Sequence, residues 1–367
     1  MSNNSLIIKV FGDICPIGGI KPLRVSFGAD DYVVCNLECA ITDSPNPIKK
    51  AGPVLYAPES FAATLKSWGI KAVSLANNHI RDCGDVGVRS TIDNCHKNNI
   101  LTFGAGDSEK AAGVPLIIEE NGIKVGVVSF AEKEFNYVHN GHAGALFFDP
   151  YNSFDKISEL RQKVDAVVVL YHGGIEHYIY PSPLLRKKCR KMVSAGADVV
   201  LCQHSHCIGT REKYGKGEIV YGQGNSYFGY RKGNDIWNHG LLIRLEIMPA
   251  EIKVGYEVLE TAEDGSVGMA PQDVSKRILS CLEQDSSKLS DDEFLAYSWK
   301  EFCRKKTASY LAMVLGFGTN ANRLNRLFRN GLVRLLYSRR ELNVIHNIIR
   351  CDSHVEVINT VLEDYDY

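Results

Sequence analysis

The sequence lacks any apolar run approaching the roughly 18 residues that a membrane helix needs. It also lacks a basic N-terminal segment followed by an apolar stretch, so no signal peptide is expected. No Cys-x-x-Cys pair occurs, and the 11 cysteines are dispersed and odd in number. A disulfide framework is therefore not expected, and a reducing compartment is. Several cysteines sit inside apolar runs, where a free thiol behaves as a small hydrophobe. Neither sign of charge dominates: 42 Lys and Arg stand against 43 Asp and Glu, for a net charge of −1. Bulk charge thus predicts no nucleic-acid partner and no anionic membrane partner. There is no internal repeat and no low-complexity tract. These absences together predict a cytoplasmic globular protein without a membrane span.

What is present is ordinary in bulk. The 367 residues are 45% hydrophobic and 23% charged, enough for a well-buried core. Residues 5–260 alternate strand and helix patterns, which predicts a βαβ architecture that turns antiparallel toward its end. Helices are expected from Ser60 to Trp68, Asp85 to Asn98, Ser153 to Lys163 and Pro183 to Ala195. Val114–Glu119 and Lys124–Phe130, joined by Asn121-Gly122, read as a β-hairpin. The composition shifts near Asp264-Gly265. We therefore expect one domain over 1–265 and a mainly helical region over 266–367, with helices at 291–315 and 323–362. Between Ala321 and Arg350 seven arginines face one acid, Glu341. This is either a solvated helical face or a docking surface for an anion, with Arg323, Arg326 and Arg329 as its first candidates.

Five polar clusters each end an apolar run: Gly12-Asp13, Asn36-Leu37-Glu38, Asn77-Asn78-His79, His172-Gly173-Gly174 and His204-Ser205-His206. In open α/β sheets, ligands gather at the carboxyl ends of strands. Alone, Gly-Asp or Asn-Leu-Glu reads as a turn. His204-Ser205-His206 is the strongest single signal, because an extended backbone would put both imidazoles on one side. Together the clusters supply carboxylates, amide oxygens and imidazoles. That is the mix a hydrolytic two-metal site needs: one carboxylate able to bridge, and neutral nitrogen and oxygen ligands around it. Ligation by N and O without thiolate suits Mn, Fe or Zn.

The order of these clusters resembles the calcineurin-like metallophosphoesterases. It more closely resembles their CapA branch, the bacterial capsule and poly-γ-glutamate synthesis proteins. Asn77-Asn78-His79-Ile80-Arg81-Asp82-Cys83-Gly84 looks like that branch's Asn-Asn-His-x-x-Asp-x-Gly signature. His172-Gly173-Gly174-Ile175-Glu176 looks like its His-x-Gly-x-Glu segment, and Ile219 to Asn225 like its strand ending in Gly-Asn. The resemblance covers about residues 7–260 and leaves out the C-terminal helices.

The resemblance implies an α/β fold, a four-layer αββα sandwich of the metallophosphoesterase type, here with a C-terminal helical extension. It implies that Asp13 and His206 bind one divalent metal, that Asn78, His172 and His204 bind a second, and that Glu38 bridges them. His79 would be the proton donor or transition-state stabiliser, oriented by Asp82. Glu176 would be a further ligand or a substrate contact. The wider superfamily has a metal-binding His where this chain has Cys15, which is then either a thiolate ligand or a buried structural thiol. One ion or two would occupy the site accordingly. The implied function is a phosphoesterase-like hydrolase with a metal-activated water, linked to capsule or another anionic surface polymer. Two alternatives stay open: a metal-binding module that holds an anionic polymer or partner enzyme without turnover, and a hydrolase of γ-glutamyl amides.

Overall fold

The structure, a computed structural model, describes residues 5–314, 316, 323–325, 327, 328 and 338–363. It divides into two compact units, Met1–Leu295 and Ala296–Tyr367.

The first unit is built on two sheets. One has strand Leu6–Ile14 near its centre, with Tyr32–Leu37, Ala72–Ser74 and Leu101–Phe103 parallel to it on one side. On its other side lies the long antiparallel pair His239–Met248 and Glu251–Thr261. The second sheet runs Arg211–Tyr214, Gly217–Val220, Val199–Gln203, Ala166–His172, Ile123–Ala131, Leu116–Glu120.

Period-two alternation decides which residues face which layer. Leu6, Ile8, Val10 and Val34 of the first sheet share a buried cluster with Val125, Val127, Val168, Leu170, Val199 and Leu201 of the second. The alternate residues Val33, Cys35, Leu37 and Val73 join a separate cluster with Phe61, Leu65, Val88 and Cys95 of helices Ser60–Ser67 and Gly84–Lys97. On the far face of the second sheet pack helices Ser153–Arg161 and Pro183–Ser194. The result is helices, sheet, sheet, helices: the expected four-layer sandwich. The expected hairpin is present, with Leu116–Glu120 antiparallel to Ile123–Ala131. Asn121 and Gly122 both take positive φ (55° and 75°), as a turn matching strand twist requires.

The composition shift near Gly265 falls at a turn inside the first sheet, since Val267–Met269 pairs with Glu251–Thr261. Helix Gln272–Ser287 then packs on the strand Glu251–Thr261, and its Leu282 is buried in the inter-sheet core. The second unit contains the remainder of helix Asp292–Val314, and helices Arg339–Arg350 and Asp352–Glu363. The single helix expected over 323–362 is interrupted at Cys351, whose ψ of 112° is extended. The chain then restarts a helix with Asp352 in its first turn, where an acid suits the helix dipole. No described helix is long and apolar enough to cross a membrane.

Candidate metal centre

Both sheets deliver the expected clusters to one place. Pairing between Leu6–Ile14 and Tyr32–Leu37 shifts between Val10 and Asp13, and Asp13 then sits opposite Asn36 on one side and Asn225 on the other. Irregularities of this kind re-aim side chains. Gly12 makes this approach possible, since a Cβ there would lie 2.7 Å from the Gly224 carbonyl. The second sheet ends its strands at His172 and Gln203, which face each other in register.

Two groups of side chains have donor atoms all within 4.8 Å of one another: Glu38, His172 and His204, and Asp13, Glu38 and His206. Glu38 belongs to both. It is fully buried, and neither carboxylate oxygen has a hydrogen-bond partner among the described residues. Its Oε1 lies 3.5 Å from His172 Nε2 and 3.9 Å from His79 Nε2. Asn78 Oδ1 is 3.0 Å from His172 Nε2. Asp13 accepts from the backbone N–H of His204 (2.9 Å) and from the Asn36 amide (2.8 Å).

The electrostatics favour a guest cation. Burial pushes the carboxyl of Asp13 up to about 7, with Glu38 adding to the shift. Burial, reinforced by Glu176, raises Glu38 well above the usual carboxylate range. Burial also pushes the imidazoles of His172, His204 and His206 down to about 4, 3 and 3. The imidazoles are therefore neutral near pH 7, the form that ligates. Two buried carboxylates beside three neutral imidazoles lack positive charge. The orphaned oxygens of Glu38 and the unpartnered Nδ1 of His204 fit a divalent ion bound by N and O.

His79 stands at the edge of this cluster. Its Nδ1 lies 2.7 Å from Asp82 Oδ2, which also accepts from the backbone N–H of Leu55 at 2.7 Å. Asp82 forms a buried ion pair with Lys50, whose Nζ is 3.3 Å from His79 Nδ1.

The backbone through His204-Ser205-His206 is not extended. The strand stops at Gln203, and His204 and His206 have φ of 83° and 51°. Both imidazoles still reach the cluster, by left-handed turns that non-glycine residues seldom adopt. Cys15 is buried in the apolar cluster that also holds Cys39, and it is in neither donor group. Glu176 is exposed, 3.9 Å from His177 Nε2. Arg323 is exposed, and Arg326 and Arg329 lie outside the described residues.

Several residues at the centre were not among the expected ligands. Asn36 reaches Asp13 and lies 3.1 Å from His172 Nδ1. Lys50 comes from a loop. Asn225 holds His206, its Oδ1 2.8 Å from Nδ1. Glu132 accepts from the Gly174 N–H (3.3 Å) and from Lys188 (3.1 Å), supporting the turn after His172. The Gly-Asn ending at Asn225 was the one available signal for that residue.

The four-layer fold with this cluster at its strand ends defines an α/β sandwich that carries a candidate metal centre. More narrowly, the chain belongs to the bacterial capsule synthesis protein family PGA_cap, whose model matches residues 17–230. It is 28% identical over 287 residues to the capsule biosynthesis protein CapA of Bacillus anthracis, covering 69% of each chain. It is 31% identical over 208 residues to the PGA biosynthesis protein CapA of Bacillus subtilis (strain 168), covering 55% of this chain and 54% of that protein. Among solved structures, a 5'-nucleotidase precursor from Thermus thermophilus aligns at a TM-score of 0.44 and 14% identity, over 78% of this chain and 60% of that one. A hypothetical protein from the same organism aligns at 0.43 and 13%, over 69% and 99%.

Proposed function

We propose that this chain is a divalent-metal-dependent hydrolase of phosphate esters, acting in the metabolism of a capsule or other anionic surface polymer. The observation that carries the reading is Glu38: a fully buried carboxylate, unpartnered at both oxygens and shared by two donor groups. In this reading Asp13, Glu38 and His206 hold one ion, and Glu38, Asn78, His172 and His204 hold the other. The two ions, Mn, Fe or Zn, would lower the pKa of a coordinated water and neutralise charge on the phosphoryl oxygens.

The chain's own residues do the rest. Asn36 and the His204 N–H fix the Asp13 carboxylate. Asp82 holds the His79 imidazole by Nδ1, so Nε2 faces Glu38 and the centre. A proton carried on Nε2 is then placed for delivery to the leaving oxygen. Glu176, at the exposed rim, is a substrate contact in this scheme. The chemistry belongs to the unit that holds the two sheets, Met1–Leu295.

Metal analysis of the purified protein, paired with a phosphoester panel at several metals, tests the proposal. Phosphate release that depends on metal and is lost in His79→Ala and Asn78→Ala supports it. Metal-loaded protein inert on phosphomonoesters and phosphodiesters overturns it, and cleavage of γ-glutamyl amides instead would assign the site to a different electrophile. One observation favours a second reading, polymer binding without turnover. With Cys15 in the apolar core, the Asp13 side of the centre has few ligands. Arg323, Arg326 and Arg329 would then serve as the anion-binding surface.

A further inference from the structure

Beside His206 stands a stack of groups that the hydrolytic scheme leaves unused. The Trp237 ring packs on His206, with centroids 4.8 Å apart. The Arg231 guanidinium lies over Trp237, 3.0 Å from the ring centroid. The backbone of Arg231 is pinned on both sides by Asn238, which accepts from its N–H and donates to its carbonyl, each at 2.8 Å. Trp237 is itself fixed, its indole N–H donating to the Gly229 carbonyl at 3.0 Å. Arg231 thus has a rigid base and a definite position, one ring away from the candidate ligand.

What Arg231 lacks is a directly paired anion. No carboxylate lies within ion-pair distance of it among the described residues, and its guanidinium donates no side-chain hydrogen bond there. Arg231 itself is exposed, whereas the half-buried Lys50, Lys188 and Arg81 are each paired, with Asp82, Glu132 and Asp85. Glu176 acts electrostatically on both Glu38 and Arg231. A planar guanidinium stacked on an aromatic ring, with its donors unused, suits carboxylate or phosphate recognition.

We infer that Arg231 is a specificity-determining residue that binds a second anionic group of the substrate, a carboxylate or phosphate carried next to the group that enters the metal centre. The inference rests on the hydrolase reading above. It selects, within that reading, substrates that repeat negative charge along a chain.

The test uses the full-length, metal-loaded protein and three matched nitrophenyl phosphodiesters, whose second ester arm ends in a carboxylate, a phosphate or a carboxamide. Wild type should prefer the charged arms in kcat/KM, chiefly through KM. In Arg231→Ala that preference should collapse by about tenfold, the usual effect of removing a charged hydrogen-bond partner. Arg231→Lys should restore part of it. A preference unchanged in Arg231→Ala overturns the inference. So does an equal loss on all three esters accompanied by a lower Tm, which is the mark of a structural prop for Trp237. Wild type that turns over none of the esters defeats the hydrolase reading instead. Arg231 is then judged by calorimetric binding of the carboxylate and carboxamide compounds to wild type and Arg231→Ala, and equal discrimination by both proteins overturns it.

Discussion

Asn225 Oδ1 lies 2.8 Å from His206 Nδ1, and the same amide donates its N–H to the Trp237 carbonyl at 2.9 Å. The second bond fixes the amide's orientation, so Oδ1 must accept. His206 therefore carries its proton on Nδ1 and presents a bare Nε2. Groups that orient a ligand in this way matter nearly as much as the ligand itself. Asn225→Leu should keep the fold and weaken metal binding by roughly 10- to 100-fold. Isothermal titration with Mn and Zn on the metal-free protein measures this. Unchanged affinity would mean that His206 is not a ligand.

Glu38 makes the opposite kind of prediction, about stability. A buried carboxylate with no partner costs folding free energy in the metal-free protein. Glu38→Gln removes the charge while keeping the volume. The metal-free variant should melt at or above the wild-type temperature. Wild type should gain about 2.7 kcal/mol from metal at one hundred times Kd, and the variant should lose most of that gain. Thermal melts with and without metal give both numbers. A metal-free variant that melts well below wild type would point to a structural role for Glu38.

The parts of the centre legible in the sequence are those that end strands. Asp13, Glu38, Asn78, His172 and His204 each follow an apolar run, because a strand buried on both faces must be apolar and its first polar residue marks the exit from the sheet. The helical layers were legible for a similar reason, through their apolar spacing and the Ser182-Pro183 start. Lys50, Asn36 and Arg231 were not legible as site residues. Asn36 is one of several polar residues at its strand end, and its partner His172 is 136 residues away. Lys50 and Arg231 sit in loops, where nothing periodic marks a direction. The left-handed turns at His204 and His206 are not legible either, because a sequence shows spacing but not the sign of φ.

Lys50 and Asp82 allow a test of the His79 arrangement. Both side chains are almost fully buried and form an ion pair beside His79 Nδ1. Breaking a buried pair from one side leaves an uncompensated charge, at a cost of about 3 kcal/mol or more. Lys50→Met should therefore lower the urea midpoint strongly. The double variant Lys50→Met/Asp82→Asn should cost less than the sum of the single changes. Under the hydrolase reading, Lys50→Met should also lower kcat while leaving metal stoichiometry intact. Additive stability losses would show that the two side chains are not energetically coupled.

Glu212 is half-buried between Arg186, Arg190 and Tyr221. Burial alone would raise its carboxyl. The hydrogen bonds from Arg190 and Tyr221 outweigh it, with Arg186 adding charge, and they hold the group below its ordinary 4.5. A carboxyl depressed in the folded state binds fewer protons there than when unfolded, so stability rises with pH across the interval between the two values. The contribution is complete above 4.5 and is lost as pH falls through the folded value. Glu212→Gln should therefore be less stable than wild type at pH 7, and its stability should fall less steeply than wild type's below about pH 4.5. Urea unfolding of both proteins from about pH 7 to about pH 3 reads the difference. A gap between the two curves that stays constant with pH would show that the ionised form of Glu212 is not what the arginines stabilise.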